Sequence, residues 1–294
     1  LDRLYVNNGK GGFVRDNNLP NIAENGSCVA PGDFDRDGDV DLFIGGRMVP
    51  GKYGLDAPSF LYVNDGTGNF KNYTKRYLPA SELGMVTDAV WQDVNGDRYP
   101  ELIVVGEWMP VTVFENQQGR KLFRNPKSEI RNSSGWWTRI HPADMDGDGD
   151  TDFVLGNWGL NSRIKADPAH PAELYVSDFD QNGVMEQILN CVAEDGKNYP
   201  MVLKHDLQKQ MPELKKKFVK YTDYAGKPIN EIFDAEQLKA AVVKRVDNAH
   251  SSLLVNNGNL GFALQALPLE AQFSPVFGIE TLDYNQDGNL DILL

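Results

Sequence analysis

Short aliphatic runs recur along the chain, each entered through a cluster of acidic and small polar residues. DFDRDGDVD (33–41) leads into LFIGG, DVNGDRYPE (93–101) into LIVVG, DMDGDGDTD (144–152) into FVLGN, DFDQNGVME (178–186) into QILN, and DYNQDGNLD (283–291) into ILL. Apolar runs this short, bounded by Asp, Asn and Gly, predict buried strands fed by turns. A second pattern recurs as LYVNNGKGGF (4–13), LYVNDGTGNF (61–70) and LLVNNGNLGF (253–262), with a weaker copy at VFENQQGRKLF (113–123). Asn with Gly between apolar stretches predicts a hairpin whose turn needs positive φ. The repeating unit reads strand, acidic turn, strand, variable link, hairpin.

The turns begin at 33, 93, 144, 178 and 283, with steps of 60, 51, 34 and 105 residues. Four-stranded propeller blades take roughly 40 to 50 residues, so the expectation is an all-β protein, a β-propeller in one domain over 1–294, with an insertion in the last step. Residues 204–247 lose the strand pattern and predict that small α-helical insertion. Asp234 to Gln237 is spaced as a capping box for a helix from Ala235 to about Lys244, and Pro212 suits the first turn of a helix containing Leu214 and Phe218. The chain closes on an acidic turn and strand without a hairpin and opens on a hairpin without a turn. Joined, the two ends predict one whole unit that closes a ring and removes exposed edges.

Composition places the chemistry. The 294 residues carry 29 Lys+Arg against 42 Asp+Glu, a net charge of -13. Nucleic acid is excluded as a partner on that balance, since binding phosphates needs clustered cations. The longest aliphatic runs, such as LIVV at 102–105, fall far short of the ~20 residues that cross a bilayer, so no transmembrane segment is predicted. The first residue is Leu1 and no apolar leader is present, so any export signal has been removed or lies outside this sequence. Cys28 and Cys191 allow at most one disulfide. Nineteen of the 42 carboxylates fall inside the five turn windows, while 204–247 holds ten Lys/Arg against seven Asp/Glu, or +3, leaving -16 elsewhere.

Asp33, Asp35, Asp37, Asp39 and Asp41 occupy positions 1, 3, 5, 7 and 9 of the first turn, with Gly38 at position 6. Side chains at 1, 3 and 5 point inward when the chain wraps a point, position 7 offers a carbonyl, and position 9 returns a carboxylate. Six or seven hard oxygens around one centre is calcium coordination, and no Cys or His is present to suggest zinc or copper. Asp144, Asp146, Asp148, Asp150 and Asp152 repeat the set, as do Asp178, Asp180, Asn182, Val184 and Glu186, and Asp283, Asn285, Asp287, Asn289 and Asp291. In Asp93, Asn95, Asp97, Tyr99 and Glu101 the turn departs, with Gly96 at position 4 and Arg98 at position 6, and a different bend is expected. About five structural Ca2+ sites are therefore expected; the alternative is a set of Asp/Asn/Gly turns held by side-chain hydrogen bonds without metal. An EF-hand is excluded because position 9 runs straight into a strand.

These turns and hairpins resemble FG-GAP or VCBS repeats, the calcium-binding blades of integrin α-subunit propellers and of many secreted bacterial proteins. The resemblance covers nearly the whole chain apart from the insertion. GNWGLNSR (156–163), MPELKKKF (211–218) and LPLEAQFSPVFGI (267–279) further resemble a bacterial group related to cartilage acidic protein, often paired with an ASPIC/UnbV domain, of which no segment is evident here. The resemblance implies a propeller, export to the periplasm, cell surface or medium, and binding or adhesion to a glycan or protein partner more often than catalysis.

The strands after the turns end in Gly46-Arg47-Met48, Gly106-Glu107-Trp108 and Gly156-Asn157-Trp158. On the face opposite the turns these would gather Arg47, Glu107, Trp108, Trp158, Asn161 and Arg163, a set suited to a glycan or a peptide loop; the alternative is that both Trp side chains pack between blades. Catalysis finds little support. His141, His170, His205 and His250 are scattered, and HExxH, GxSxG, a P-loop and GxGxxG are all absent. An enzyme acting on glycans, with its site in the central channel or beside the insertion, is the alternative reading.

Overall fold

The computed structural model describes residues 3–20 and 25–294. The protein is mostly β, built from several antiparallel sheets. A hairpin of β1 (Leu4–Asn7) and β2 (Phe13–Asp16) comes first. The first four-stranded sheet runs in chain order through β3 (Gly26–Gly32), β4 (Asp41–Gly46), β5 (Phe60–Asn64) and β6 (Phe70–Asn72). The second has β7 (Met85–Gln92), β8 (Glu101–Pro110), β9 (Thr112–Asn116) and β10 (Leu122–Arg124), with β11 (Ser134–Trp136) paired to the far end of the long β8.

The third sheet is interrupted. β12 (Arg139–Ala143) and β13 (Asp152–Gly156) pair as a hairpin, but the neighbour of β13 is β18 (Ser252–Asn256), followed by β19 (Phe262–Ala266). Between them the chain builds a separate sheet from β14 (Ala172–Ser177), β15 (Glu186–Val192), β16 (Asn198–Pro200) and β17 (Val242–Val246), in the order β16-β15-β14-β17. The turn at 178–186 belongs to this extra sheet, which is why it follows its predecessor after only 34 residues. Helices Lys204–Gln210, Leu214–Lys217, Ile229–Ile232 and Ala235–Ala240 lie between β16 and β17. The capping box forms as expected, with Asp234 accepting from the Gln237 amide at 2.8 Å, but the helix stops at Ala240 because β-branched Val242 and Val243 join β17.

One face of the inserted sheet packs Leu174 and Val176 against Trp108 and Trp136; a second cluster joins its Ile188 to the helices through Leu207, Met211 and Ile232. The chain ends with β20 (Glu280–Leu282) and β21 (Asp291–Leu293), a two-stranded sheet. Among the described residues β21 does not pair with β1, so the joined unit expected at the ends is not formed. Cys28 and Cys191 are free thiols.

The leading strands of the three sheets pack side by side, β3 on β7 and β7 on β12. Hydroxyls at bulges tie them. Ser27 donates to the Val86 carbonyl at 2.6 Å, Thr87 donates to the Trp137 carbonyl at 2.8 Å, and Thr138, just before β12, donates to Val276 in the segment leading to β20. One short polar side chain per sheet thus bonds a carbonyl of its neighbour.

Candidate metal centres and the opposite face

All five acidic turns adopt one backbone shape. The carboxylate at position 1 accepts from the amide at position 6: Gly38 to Asp33 at 3.1 Å, Arg98 to Asp93 at 2.7 Å, Gly149 to Asp144 at 3.1 Å, Gly183 to Asp178 at 2.8 Å and Gly288 to Asp283 at 3.0 Å. Position 5 likewise accepts from position 7, through Asp37, Asp97, Asp148, Asn182 and Asp287. Positions 4 and 6 have positive φ throughout, including Arg98 at 74° beside glycines between 88° and 95°. The different bend expected at 93–101 is therefore absent; Arg98 adopts the left-handed conformation and pays a steric penalty that glycine avoids.

Position 9 holds each turn to its sheet. Its carboxylate accepts from the amide at position 2 in every turn: Phe34 to Asp41, Val94 to Glu101, Met145 to Asp152, Phe179 to Glu186 and Tyr284 to Asp291. In the three main sheets its other oxygen accepts from the backbone amide of the hairpin Asn, with Asn64 donating to Asp41 at 2.9 Å, Asn116 to Glu101 at 3.3 Å and Asn256 to Asp152 at 2.8 Å. Two of the Asn side chains then reach the preceding sheet, while Asn64 donates to Val40 in its own turn. Asn116 donates to the Phe34 carbonyl at 2.8 Å and Asn256 to the Val94 carbonyl at 3.3 Å, while Gln237 of the insertion serves Phe179 in the same way. Sequence reading found the hairpin Asn as a turn former and missed this second use, which only the tertiary fold brings about.

The turns differ in what their carboxylates do. Oxygens of Asp33, Asp35 and Asp37 lie within 4.8 Å of one another, as do those of Asp144, Asp146 and Asp152 and those of Asp178, Asp180 and Glu186. Among the described residues the turns at 93 and 283 make no such group. Both carry Asn at position 3, whose amide closes on a carboxylate: Asn95 donates to Glu101 at 3.0 Å and Asn285 to Asp287 at 3.0 Å. In the first turn, one oxygen each of Asp33, Asp35 and Asp39 is buried without any hydrogen-bond partner. Burial, then repulsion from Asp37, pushes the Asp35 and Asp39 carboxyls up; burial does the same for Asp146, followed by repulsion from Asp148. Burial carries Asp41 and Glu101 to about 7 against the amide bonds that hold them down. Asp287 instead lies below the usual range because the Asn289 amide and the Asn285 side chain satisfy it. Unsatisfied buried carboxylate oxygens of like charge fit a hard divalent cation, with Asp33, Asp35, Asp37 and the Asp39 carbonyl as its donors.

At the opposite ends of the strands the expected residues separate. Trp108 is buried, with φ 58°, and its indole donates to the Tyr53 hydroxyl at 2.9 Å. It packs edge-on against Trp136, which lies 5.5 Å from the half-exposed Trp158 ring. Tyr53 donates to Glu107 at 2.9 Å, and the other Glu107 oxygen accepts from Arg47 at 2.5 Å. Asn161 and Arg163 are exposed, the former donating to the Phe273 carbonyl. Asn157, fully buried, fixes this corner: its side chain accepts from the Trp158 amide at 2.8 Å and donates to Asn248 and His250, and its carbonyl accepts from Val276.

A family model described as an FG-GAP-like repeat matches residues 2–44 and 93–155. These two stretches are thus similar to FG-GAP-like repeats, and the acidic clusters could hold a metal ion. No curated protein matches the chain.

Proposed function

We propose that this chain is an exported calcium-binding β-propeller, or an arc of one, acting as a binding or adhesion module for a glycan or protein partner. Three sheets of four, five and four strands whose leading strands pack in sequence, with β20–β21 following, support the propeller reading. GNWGLNSR, MPELKKKF and LPLEAQFSPVFGI support membership of the group related to cartilage acidic protein. The observation that carries the calcium assignment is the cluster of Asp33, Asp35 and Asp37 oxygens within 4.8 Å of one another, in which one oxygen each of Asp33 and Asp35 is buried and unpartnered. Such oxygens repel one another until a cation arrives, so calcium here stiffens a structure rather than performing a reaction. The export reading is supported by the same chemistry, because calcium modules of this kind fill best where calcium is millimolar.

Thermal unfolding with calcium and with EDTA tests the proposal. Calcium tenfold above its dissociation constant adds on the order of 1.4 kcal/mol per site, so three sites raise the melting temperature by roughly 8 °C. Magnesium, which demands tighter octahedral geometry, substitutes poorly. Superimposable curves with calcium and EDTA would refute the assignment.

A further inference from the structure

Large aromatic side chains left in water are the observation to explain on the face opposite the turns. Phe277 is 71% exposed, Phe273 57% and Trp158 37%. They come from two segments stitched together, as Leu160 donates to the Gln272 carbonyl at 2.7 Å and Val276 to the Asn157 carbonyl at 3.0 Å. Phe277 also lines a cavity of ≈ 370 Å³ with Asn25, Arg47, Met48, Glu107 and Thr138, where the leading strands begin. That volume suits a small ligand or one sugar unit of a longer chain.

The polar floor of the cavity is held in place from below. Glu107 is 9% exposed and fixed by Tyr53, which the buried Trp108 indole holds in turn. Trp108 sits in a left-handed conformation that large side chains avoid, a local strain concentrated beneath this floor. Arg47 spends one nitrogen on Glu107 and keeps 48% of its side chain in water. The pair offers donors and acceptors side by side with no net charge. A carboxylate or phosphate ligand would meet a chain of net charge -13 with its nearest cation already compensated. An uncharged ligand with many hydroxyls and flat C–H faces meets neither difficulty.

From this geometry we infer that the cavity and its aromatic rim bind a neutral saccharide, with Phe277 under the sugar ring and Arg47 and Glu107 at its hydroxyls. The inference rests on the binding-module reading above and adds the place and the ligand class. Intrinsic tryptophan fluorescence and calorimetry are recorded against soluble cello-, xylo-, manno- and N-acetylglucosamine oligosaccharides, with oligogalacturonate as the charged comparison and calcium present throughout. The expected result is that at least one neutral oligomer binds with a millimolar or tighter dissociation constant, unchanged when salt rises roughly tenfold. Phe277→Ala weakens it at least tenfold while leaving the calcium-dependent melting shift intact; Phe273→Ala weakens it less. The inference is overturned if no neutral oligomer binds at about 10 mM, if only oligogalacturonate binds, or if Phe277→Ala has no effect. It also falls if sedimentation shows that Phe277 is buried between two copies of the chain, with Phe277→Ala abolishing a dimer. A normal calcium shift without saccharide binding removes this inference alone, whereas loss of the calcium shift removes the reading beneath it.

Discussion

The turns at 144–152 and 283–291 share the bonds from position 6 to 1, 7 to 5 and 2 to 9 that shape them, yet their carboxylates are in opposite states. In the first, Asp144, Asp146 and Asp152 bring oxygens together, and desolvation with repulsion from Asp148 pushes the solvent-exposed Asp146 up. In the second, Asn285 occupies position 3, its amide bonds Asp287, and Asp287 is pulled down. Loop shape is set by positions 1, 4, 5 and 6, and the electrostatic demand for a cation is set by position 3. A turn can therefore look like a metal site in outline and be satisfied without one.

The strongest challenge to that comparison is at position 9. Asp152 is fully buried and accepts from both Met145 and Asn256, so Asp152→Ala strands two amides and should cost about 3 kcal/mol even in EDTA. Asp291→Ala, in a turn with one such bond at an exposed edge, should cost about 1 kcal/mol or less. Urea unfolding of both variants with EDTA measures the gap, and equal losses would mean that the Asn link to the sheet contributes nothing.

Acidity gives the next effect. Asp41 and Glu101 have folded values raised to about 7, above those of the unfolded chain, so the fold favours their protonated forms. The stability this contributes is complete below about pH 4 and is lost as pH rises through 7. Metal-free protein should therefore melt at falling temperature between pH 5 and 8, through these two groups. A metal-free melting temperature that climbs over that range would contradict the burial argument.

Position 3 itself sharpens the comparison. Asp146→Asn should abolish one calorimetric calcium site, worth on the order of 1.4 kcal/mol of calcium-dependent stability at tenfold excess, while Asn285→Asp should create one. Failure of the exchange in both directions would refute the role given to position 3, because Gly149 and Gly288 make the two turns alike at position 6. The smallest expected effect is there: Arg98→Gly relieves a left-handed φ of 74° and should stabilise the chain by roughly 0.5 to 1 kcal/mol, with calcium affinity unchanged.

Local chemistry was legible in the sequence. Asp, Asn and Gly at fixed offsets dictate a turn because the bonds they make span two to five residues, and the Asp234 capping box forms for the same reason. Pairings at a distance were not legible. LLVN at 253–256 completes the sheet begun by the turn at 144, and nothing near either segment encodes that, since an intervening sheet with its own turn mimics a further repeat. Trp108 and Trp158 end two strands in similar contexts, but the inserted sheet covers the first and leaves the second half-exposed. Phe273 and Phe277 escaped notice because an isolated Phe after a Pro-containing segment has no periodicity to betray its exposure.

The interruption of the third sheet has a kinetic consequence. β13 and β18 are neighbours in space but lie 95 residues apart, from Gly156 to Ser252 at their nearest ends, and the inserted sheet occupies most of that interval with pairings of its own. Closing so long a loop costs entropy that shorter hairpins do not incur, and the loop is shortened only once the inserted sheet has formed. The order of assembly expected from this is that β12 and β13 pair first with an open edge, the insertion condenses, and β18 then docks beside β13. A lesion inside the insertion, far from the third sheet in sequence, would be felt as slow completion of that sheet and as exposure of a waiting strand to aggregation.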